Sequence, residues 1–444
     1  MNSQTKIKLN ILGAGPAGLA VGYYAKKKNI PVKLYESSND VGGNCKTITQ
    51  GEFSFDTGAH RFHDKYDQVT FEIKNLLGDD LLHINAPSQI FSQGHLIDFP
   101  LNLKNLFVNL EFRQILKVVY ENCIKILKIN HHPNNFQDLA YQIYGKTLAN
   151  TFLINYTKKL WGQNPSTLET TVSGDRLKNL DLSSILSELF FKSSKDKHLD
   201  GSFYYPKYGF GSIFSKMRDS IGSENVELNS PVEELIHDGR KIMAIIYNNG
   251  KIVSDVEIIV NSLPINIIMN ILNPSPPKDI LDIIDSLQYR SLKICVCYLN
   301  KPYFSQNASL YFPDKEFPFT RIYEPKNRSK KMAPNDKTCI VIEIPYTKGD
   351  KISSQPQTKL YEDIISKLVE NKFMNKDEII DYNFFNMDYA YPVQEVDIEK
   401  KLKHVFSYLK RFNNMYHIGR GAEFKYFHTH NILFNAHKLV RGII

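Results

Sequence analysis

Apolar residues at the start of the chain come as a short run, then at helical spacing, then as a second short run. Lys6 to Leu12 (KIKLNIL) predicts a strand, Ala17 to Lys28 a helix, and Val32 to Tyr35 (VKLY) a second strand. From Leu101 to Ile129 apolar positions recur every three or four residues (Leu106, Phe107, Leu110, Phe112, Ile115, Leu116, Val119), the spacing of one helix face. Helical pattern continues from Phe136 to Tyr156 and returns between Leu177 and Phe191. The polar stretch Lys192 to Ser202 predicts an exposed loop. Alternation of period two dominates Val226 to Asn261 and Lys293 to Tyr346, and a last helix pattern covers Asn431 to Leu439.

The joints between these elements carry the first chemistry. Gly13-Ala-Gly15-Pro-Ala17-Gly18 lies between the first strand and the helix, and Glu36 closes the second strand. Gly13 permits the tight turn, Gly15 a close backbone approach to a pyrophosphate, and Gly18 close packing of helix on strand. The helix N-terminus offers N–H groups to the phosphates, and Glu36 is placed to accept hydrogen bonds from a ribose. A lone GxGxxG is weak evidence. In register with strand, helix, second strand and acid, it predicts a dinucleotide-binding βαβ unit. Gly42-Gly43-Asn44 adds a second close approach to the pyrophosphate and favours FAD over NAD. Val226-Glu-Leu228 followed by Pro231-Val232 reads as a strand returning to the adenine side.

Composition narrows the picture only modestly. A chain of 444 residues is expected to fold as two or three interlocked domains, and its 42% hydrophobic content is ordinary for a globular enzyme. No run approaches the about 18 consecutive apolar residues of a membrane span. MNSQTKIK runs directly into the first strand, so no signal peptide is expected and a cytoplasmic location is the default. The net charge of +8 is spread along the chain without a basic block, which argues against nucleic acid and favours anionic ligands weakly. The five cysteines (Cys45, Cys123, Cys295, Cys297, Cys339) are scattered; Cys295-Val-Cys297, in an apolar run, is expected to be one exposed and one buried thiol rather than a metal pair.

Further strings are individually short and jointly specific. They are Gly58-Ala-His60-Arg-Phe62-His63, Tyr156-Thr-Lys-Lys-Leu-Trp161-Gly162, Tyr289-Arg290-Ser-Leu-Lys293, Thr320-Arg321-Ile322, Tyr391-Pro392-Val393 and Gly419-Arg420-Gly-Ala-Glu423-Phe-Lys-Tyr426. In this order they resemble the UDP-galactopyranose mutase family over essentially the whole chain. Gly174-Asp175-Arg176 is similar to the corresponding loop of the fungal members. The resemblance implies an α/β protein of amine-oxidase type: a Rossmann-like FAD-binding domain (1–98, 201–270 and 389–444), an inserted helical domain (99–200) and an antiparallel β-sheet domain (271–388).

It also implies roles. Phe152, Tyr156 and Trp161 would line the uridine and sugar side of the pocket. Arg176, on a loop that closes over substrate, and Arg321 would clamp the diphosphate, with hydroxyl hydrogen bonds from Tyr391 and Tyr426. Arg290 would support the substrate pocket. His60 would sit against the isoalloxazine, Arg420 would contact the flavin, and Gly13, Gly15, Ala17, Gly18, Glu36, Gly42, Gly43, Asn44, Val232 and Gly419 would complete the cofactor site. The implied reaction interconverts pyranose and furanose forms of a nucleotide-linked sugar, UDP-galactose first, by attack of reduced-flavin N5 on the anomeric carbon. It needs a reductant for FAD, serves polysaccharide biosynthesis in the family, and in the bacterial members goes with a homodimer, whose interface strings are not recognisable here.

Gln163, Phe424, Phe427 and His428 depart from the bacterial pattern, which has an aspartate where this chain has His428. These changes bear on which sugar is used: another hexose, a deoxyhexose or a heptose. His428-Thr-His430 has no third and fourth ligand at a recognisable spacing and gives no metal site. Two other readings share the opening fold: an FAD oxidoreductase of the amine-oxidase or protoporphyrinogen-oxidase type, and a flavin-binding protein without catalysis. The first would not need Arg176, Arg321 and Trp161 together.

Overall fold

The structure, a computed structural model, describes residues 7–99, 111–126, 132–172 and 202–443. Strand β1 (Leu9–Leu12), helix α1 (Pro16–Lys27) and strand β2 (Val32–Tyr35) form the expected βαβ unit. β1 is apolar apart from Asn10 and buried along its whole length, as a strand covered on both faces must be. It lies at the centre of a five-stranded parallel sheet in the order Met415–His417, Ile258–Asn261, β1, β2, Val226–Glu227. Chain segments 380 residues apart therefore build one sheet, with α1 packed on it together with the Ser212–Ile221 and Thr429–Ile443 helices.

A second sheet has seven strands, ordered Ile379–Pro392, Tyr289–Leu299, Thr338–Tyr346, Arg321–Tyr323, Ser309–Tyr311, Ser88–Ser92, His95–Phe99. It departs from expectation in two ways. The hairpin Ser88–Phe99, which falls within the segment expected to be the first part of the dinucleotide-binding domain, is paired into this sheet. Ser88–Ser92 pairs with Ser309–Tyr311 in parallel, so the sheet is mixed rather than antiparallel.

The cysteine expectation also fails. Cys295 and Cys297 are both fully buried, with their sulfurs 3.9 Å apart. Residues two apart on a strand point to the same face. That face packs on Leu360, Ile364 and Leu368 of the Gln357–Glu370 helix, so both thiols belong to the core.

Of the helical insertion, Phe112–Ile126, Phe136–Tyr144 and Asn155–Trp161 are helices. Ala149–Ile154, which the periodicity assigns to the same helix, is a π-helical stretch leading directly into Asn155–Trp161. The extra residue per turn shifts the phase of Tyr156 and Trp161 relative to the preceding turns. The predicted helix Leu177–Phe191, most of the polar loop after it, and Arg176 lie outside the described residues.

Candidate active site

The glycine turn fits a dinucleotide because side chains would fill it. A Cβ on Gly18 would lie 1.9 Å from the Gly13 carbonyl oxygen, and Gly13 itself has φ of +91°. Gly15 and Gly43 face each other closely: a Cβ on Gly43 would be 3.2 Å from the Gly15 Cα. Helix α1 starts at Pro16 without a side-chain cap or an acidic residue in its first turn, leaving its positive end for an anion. Glu36 accepts from the Ala14 N–H (2.7 Å) on one oxygen and from the Ser38 N–H and hydroxyl (2.9 and 2.7 Å) on the other. The Ser37 hydroxyl adds a longer contact to the second oxygen (3.4 Å), so the capacity left for a ribose lies on the oxygen that takes only the Ala14 N–H. The segment before Val232 docks here, with the Ser230 N–H bonded to the Glu36 carbonyl at 2.7 Å. The Gly419 turn closes the cradle from the far end of the chain; its N–H donates to Glu423 (2.9 Å), and a Cβ would sit 2.7 Å from that of Ala17.

His60 stands between this cradle and the second sheet. Its Nε2 lies 3.0 Å from the Asn44 carbonyl, which can only accept, so Nε2 carries the proton. Its ring stacks on Phe210 at 5.1 Å. Burial, then the charges of Arg420, Arg328 and Arg321, lower its pKa to about 3, leaving the ring neutral. Cys45 approaches Nδ1 at 4.0 Å, but burial raises its thiol to about 12, so the two are not a thiolate–imidazolium pair.

Beyond His60, Arg321 and Glu343 sit directly opposite each other on neighbouring strands. Nε and Nη2 of Arg321 donate to the two oxygens of Glu343 at 2.8 and 2.7 Å. Of the five N–H groups of a guanidinium, three on Arg321 have no hydrogen-bond partner among the described residues. Glu343, 2% exposed, also accepts from the Ala59 N–H at 2.7 Å, tying the arginine to the histidine turn. Sequence reasoning missed Glu343; its one signal is a lone acid in the apolar run TCIVIEIPY.

An aromatic wall adjoins Arg321. The Trp161 ring lies 5.9 Å from Tyr391 and 5.3 Å from Tyr426, and Tyr391 is 5.8 Å from Tyr426. Tyr156 meets Tyr311 at 5.9 Å, and Arg321 lies 5.9 Å over Tyr311, a residue the motifs did not single out. Burial, with the Glu343 charge, raises the Tyr391 pKa, so its hydroxyl stays a donor. Arg420 lies between Tyr391 and Tyr426 (5.6 and 5.0 Å) and donates to the carbonyls of Phe427 and Ala390.

Two residues expected at the substrate pocket are set in packing. Phe152 is buried in the core of the insertion among Phe136, Ala140 and Leu148. Arg290 has an acceptor for every N–H: the carbonyls of Lys159, Leu160 and Pro345, Thr347 and Asp350. It supports the Trp161-Gly162 turn and has no donor left for a substrate. Among the described residues no group of three or more His, Cys, Asp or Glu could hold a metal, and no helix is long and apolar enough to cross a membrane.

Two family profiles match the chain: an NAD(P)-binding Rossmann-like domain over residues 11–75 and UDP-galactopyranose mutase over residues 151–426. Among curated proteins, dTDP-fucopyranose mutase of Escherichia coli is 26% identical over 180 residues, covering 37% of this chain and 44% of that protein. Mitochondrial protoporphyrinogen oxidase of Nicotiana tabacum is 22% identical over 254 residues, 51% of this chain and 50% of that protein. The chain thus spans about half the length of each. Among solved structures, that of reduced UDP-galactopyranose mutase superposes with a TM-score of 0.84 over 98% of this chain and 95% of that one, at 19% identity. That likeness concerns the fold.

Proposed function

Because the chain belongs to the UDP-galactopyranose mutase family, we propose that it interconverts the pyranose and furanose forms of a nucleoside-diphosphate sugar with FAD in the glycine cradle. The observation that carries this reading is Arg321: locked by Glu343 beside the aromatic wall, it keeps three N–H groups without a partner among the described residues. That suits a diphosphate, whose oxygens match a planar guanidinium fork. Arg420 and Arg321 outweigh the single charge of Glu343, which favours an anionic ligand. Tyr391 and Tyr426 would donate to the same phosphates, and Arg176 would add a second clamp. Tyr156 and Trp161 give the nucleoside and sugar aromatic area that also excludes water. Neutral His60 would face the flavin ring without adding charge. Reduced FAD, when bound, would supply the nucleophile for the anomeric carbon, which accounts for a site without a carboxylate dyad.

UDP-galactopyranose is the first substrate to test. dTDP-fucopyranose is the second, since the Escherichia coli relative carries that name and His428 changes the pocket beside Tyr426. Each sugar nucleotide is incubated with FAD-loaded protein, with and without dithionite, and products are resolved by anion-exchange chromatography. A furanose product formed from one of them only under reduction is expected. Oxygen consumption with an amine or porphyrinogen, and no sugar-nucleotide product, would replace the reading with the oxidase one.

A further inference from the structure

The turn that carries His60 is held from two sides by charged side chains, and only one of them belongs to the site described above. In front, Glu343 takes the Ala59 N–H and the Arg321 fork. Behind, Arg328, 1% exposed, donates from Nη1 to the His60 carbonyl at 2.6 Å and from Nη2 to the Ala308 carbonyl at 3.2 Å. Its guanidinium carbon lies 4.4 Å from the Tyr323 ring centre, with Tyr205 and Phe203 at 5.7 and 5.9 Å. Those rings are fixed in turn by Asp56: the Tyr205 hydroxyl donates to its carboxylate at 2.6 Å and the Tyr323 hydroxyl to its carbonyl at 2.5 Å.

This is an expensive arrangement. The Arg328 Nε is buried with no partner, and the guanidinium makes no direct ion pair among the described residues; the Asp56 carboxylate, held by Tyr205, acts on it only through space. A buried cation held this way is a poor stabilising device, and an apolar residue of similar volume would serve packing as well. The mutase site makes no direct use of it. What the cation does uniquely is grip a carbonyl: a charge-assisted hydrogen bond fixes the His60 peptide from the side opposite Glu343.

We propose that Arg328 is a positioning residue: its bond to the His60 carbonyl sets the turn that faces the flavin ring, and its charge favours the reduced cofactor. This rests on FAD occupying the cradle as proposed above. Two substitutions grade the loss. Arg328→Met removes grip and charge at similar length, and Arg328→Lys keeps the charge with a single nitrogen in place of the two that bond the His60 and Ala308 carbonyls. In FAD-loaded Arg328→Met, kcat on the sugar nucleotide should fall at least about tenfold, as a displaced turn demands. The UDP dissociation constant, read by calorimetry, should stay within about twofold. The flavin midpoint potential should fall by about 30 mV, a tenfold change in a two-electron equilibrium. Arg328→Lys should recover part of both losses. Unchanged kcat and potential in Arg328→Met overturn the proposal, as does an Arg328→Lys no better than Arg328→Met in both. So does loss of FAD or of the fold in both, which would mark Arg328 as packing alone. The potential is measured without sugar, so a wild type inactive on every sugar nucleotide removes the reaction assigned above and leaves this test intact.

Discussion

At the scale of single residues, His60 shows how charge and burial act together. The folded protein holds it neutral, with a pKa lowered to about 3, while an unfolded chain protonates it near the ordinary value of about 6.5. Between these values the unfolded state carries the extra proton, so stability rises with pH. The contribution is fully present above about 6.5 and is lost as pH falls toward 3. His417, lowered to about 4 by burial, adds a slope of the same sign. Unfolding in urea should therefore need less denaturant at pH 5 than at pH 7. In His60→Gln, which keeps a donor for the Asn44 carbonyl, the difference between the two pH values should shrink. An unchanged difference would show that His60 is not held as a neutral, half-buried ring.

At the scale of elements, the Trp161 turn depends on Arg290, the residue expected to support the substrate pocket. Arg290 passes beneath Gly162, where a Cβ would lie 2.6 Å from its Nη1, and Gly162 has φ of +68°. Its bonds to Lys159, Leu160 and Pro345 join the Asn155–Trp161 helix to two strands of the large sheet. Arg290→Met leaves the carbonyls of Lys159, Leu160 and Pro345 without that donor, a loss on the order of 1–3 kcal/mol for each acceptor that stays buried and unsatisfied. A clear fall in thermal midpoint is expected, with the tryptophan emission of Trp161 shifted to the red as its packing opens. Both unchanged would mean the turn holds itself.

The same elements show what a sequence carries. Gly13 to Gly18, Glu36 and β2 were legible because each is a local pattern with a local cause. Trp161, Tyr391 and Tyr426 were legible only as strings of a family, and the fold then brings their rings within 6 Å. Glu343 and Arg328 were not legible. The pairing of Arg321 with Glu343 depends on strand register across 22 residues, which no periodicity encodes. The π-helical stretch at Ala149–Ile154 was hidden for a related reason: a phase shift inside a helix leaves the composition of the run unchanged.

At the scale of the whole molecule, the proposed cofactor site is a junction of distant segments. Gly13 to Asn44 supply the phosphate turn and the acid, Ser230 docks on Glu36, and Gly419 closes against Ala17. The His60 turn then connects this cradle through Glu343 to the seven-stranded sheet. A ligand in that junction binds only when all these segments are in place, so it stabilises the native chain by mass action. FAD at a hundredfold excess over its dissociation constant should add about 2.7 kcal/mol. The thermal midpoint of stripped protein should therefore climb as FAD is added, logarithmically once the site is saturated. UDP added to apoprotein should raise it less than UDP added to the FAD-loaded form, because Glu343 holds both Arg321 and the Ala59 N–H of the turn beside the proposed cofactor site. Equal shifts in the two forms would show that the diphosphate and dinucleotide sites are independent, and would remove Glu343 as the link between them.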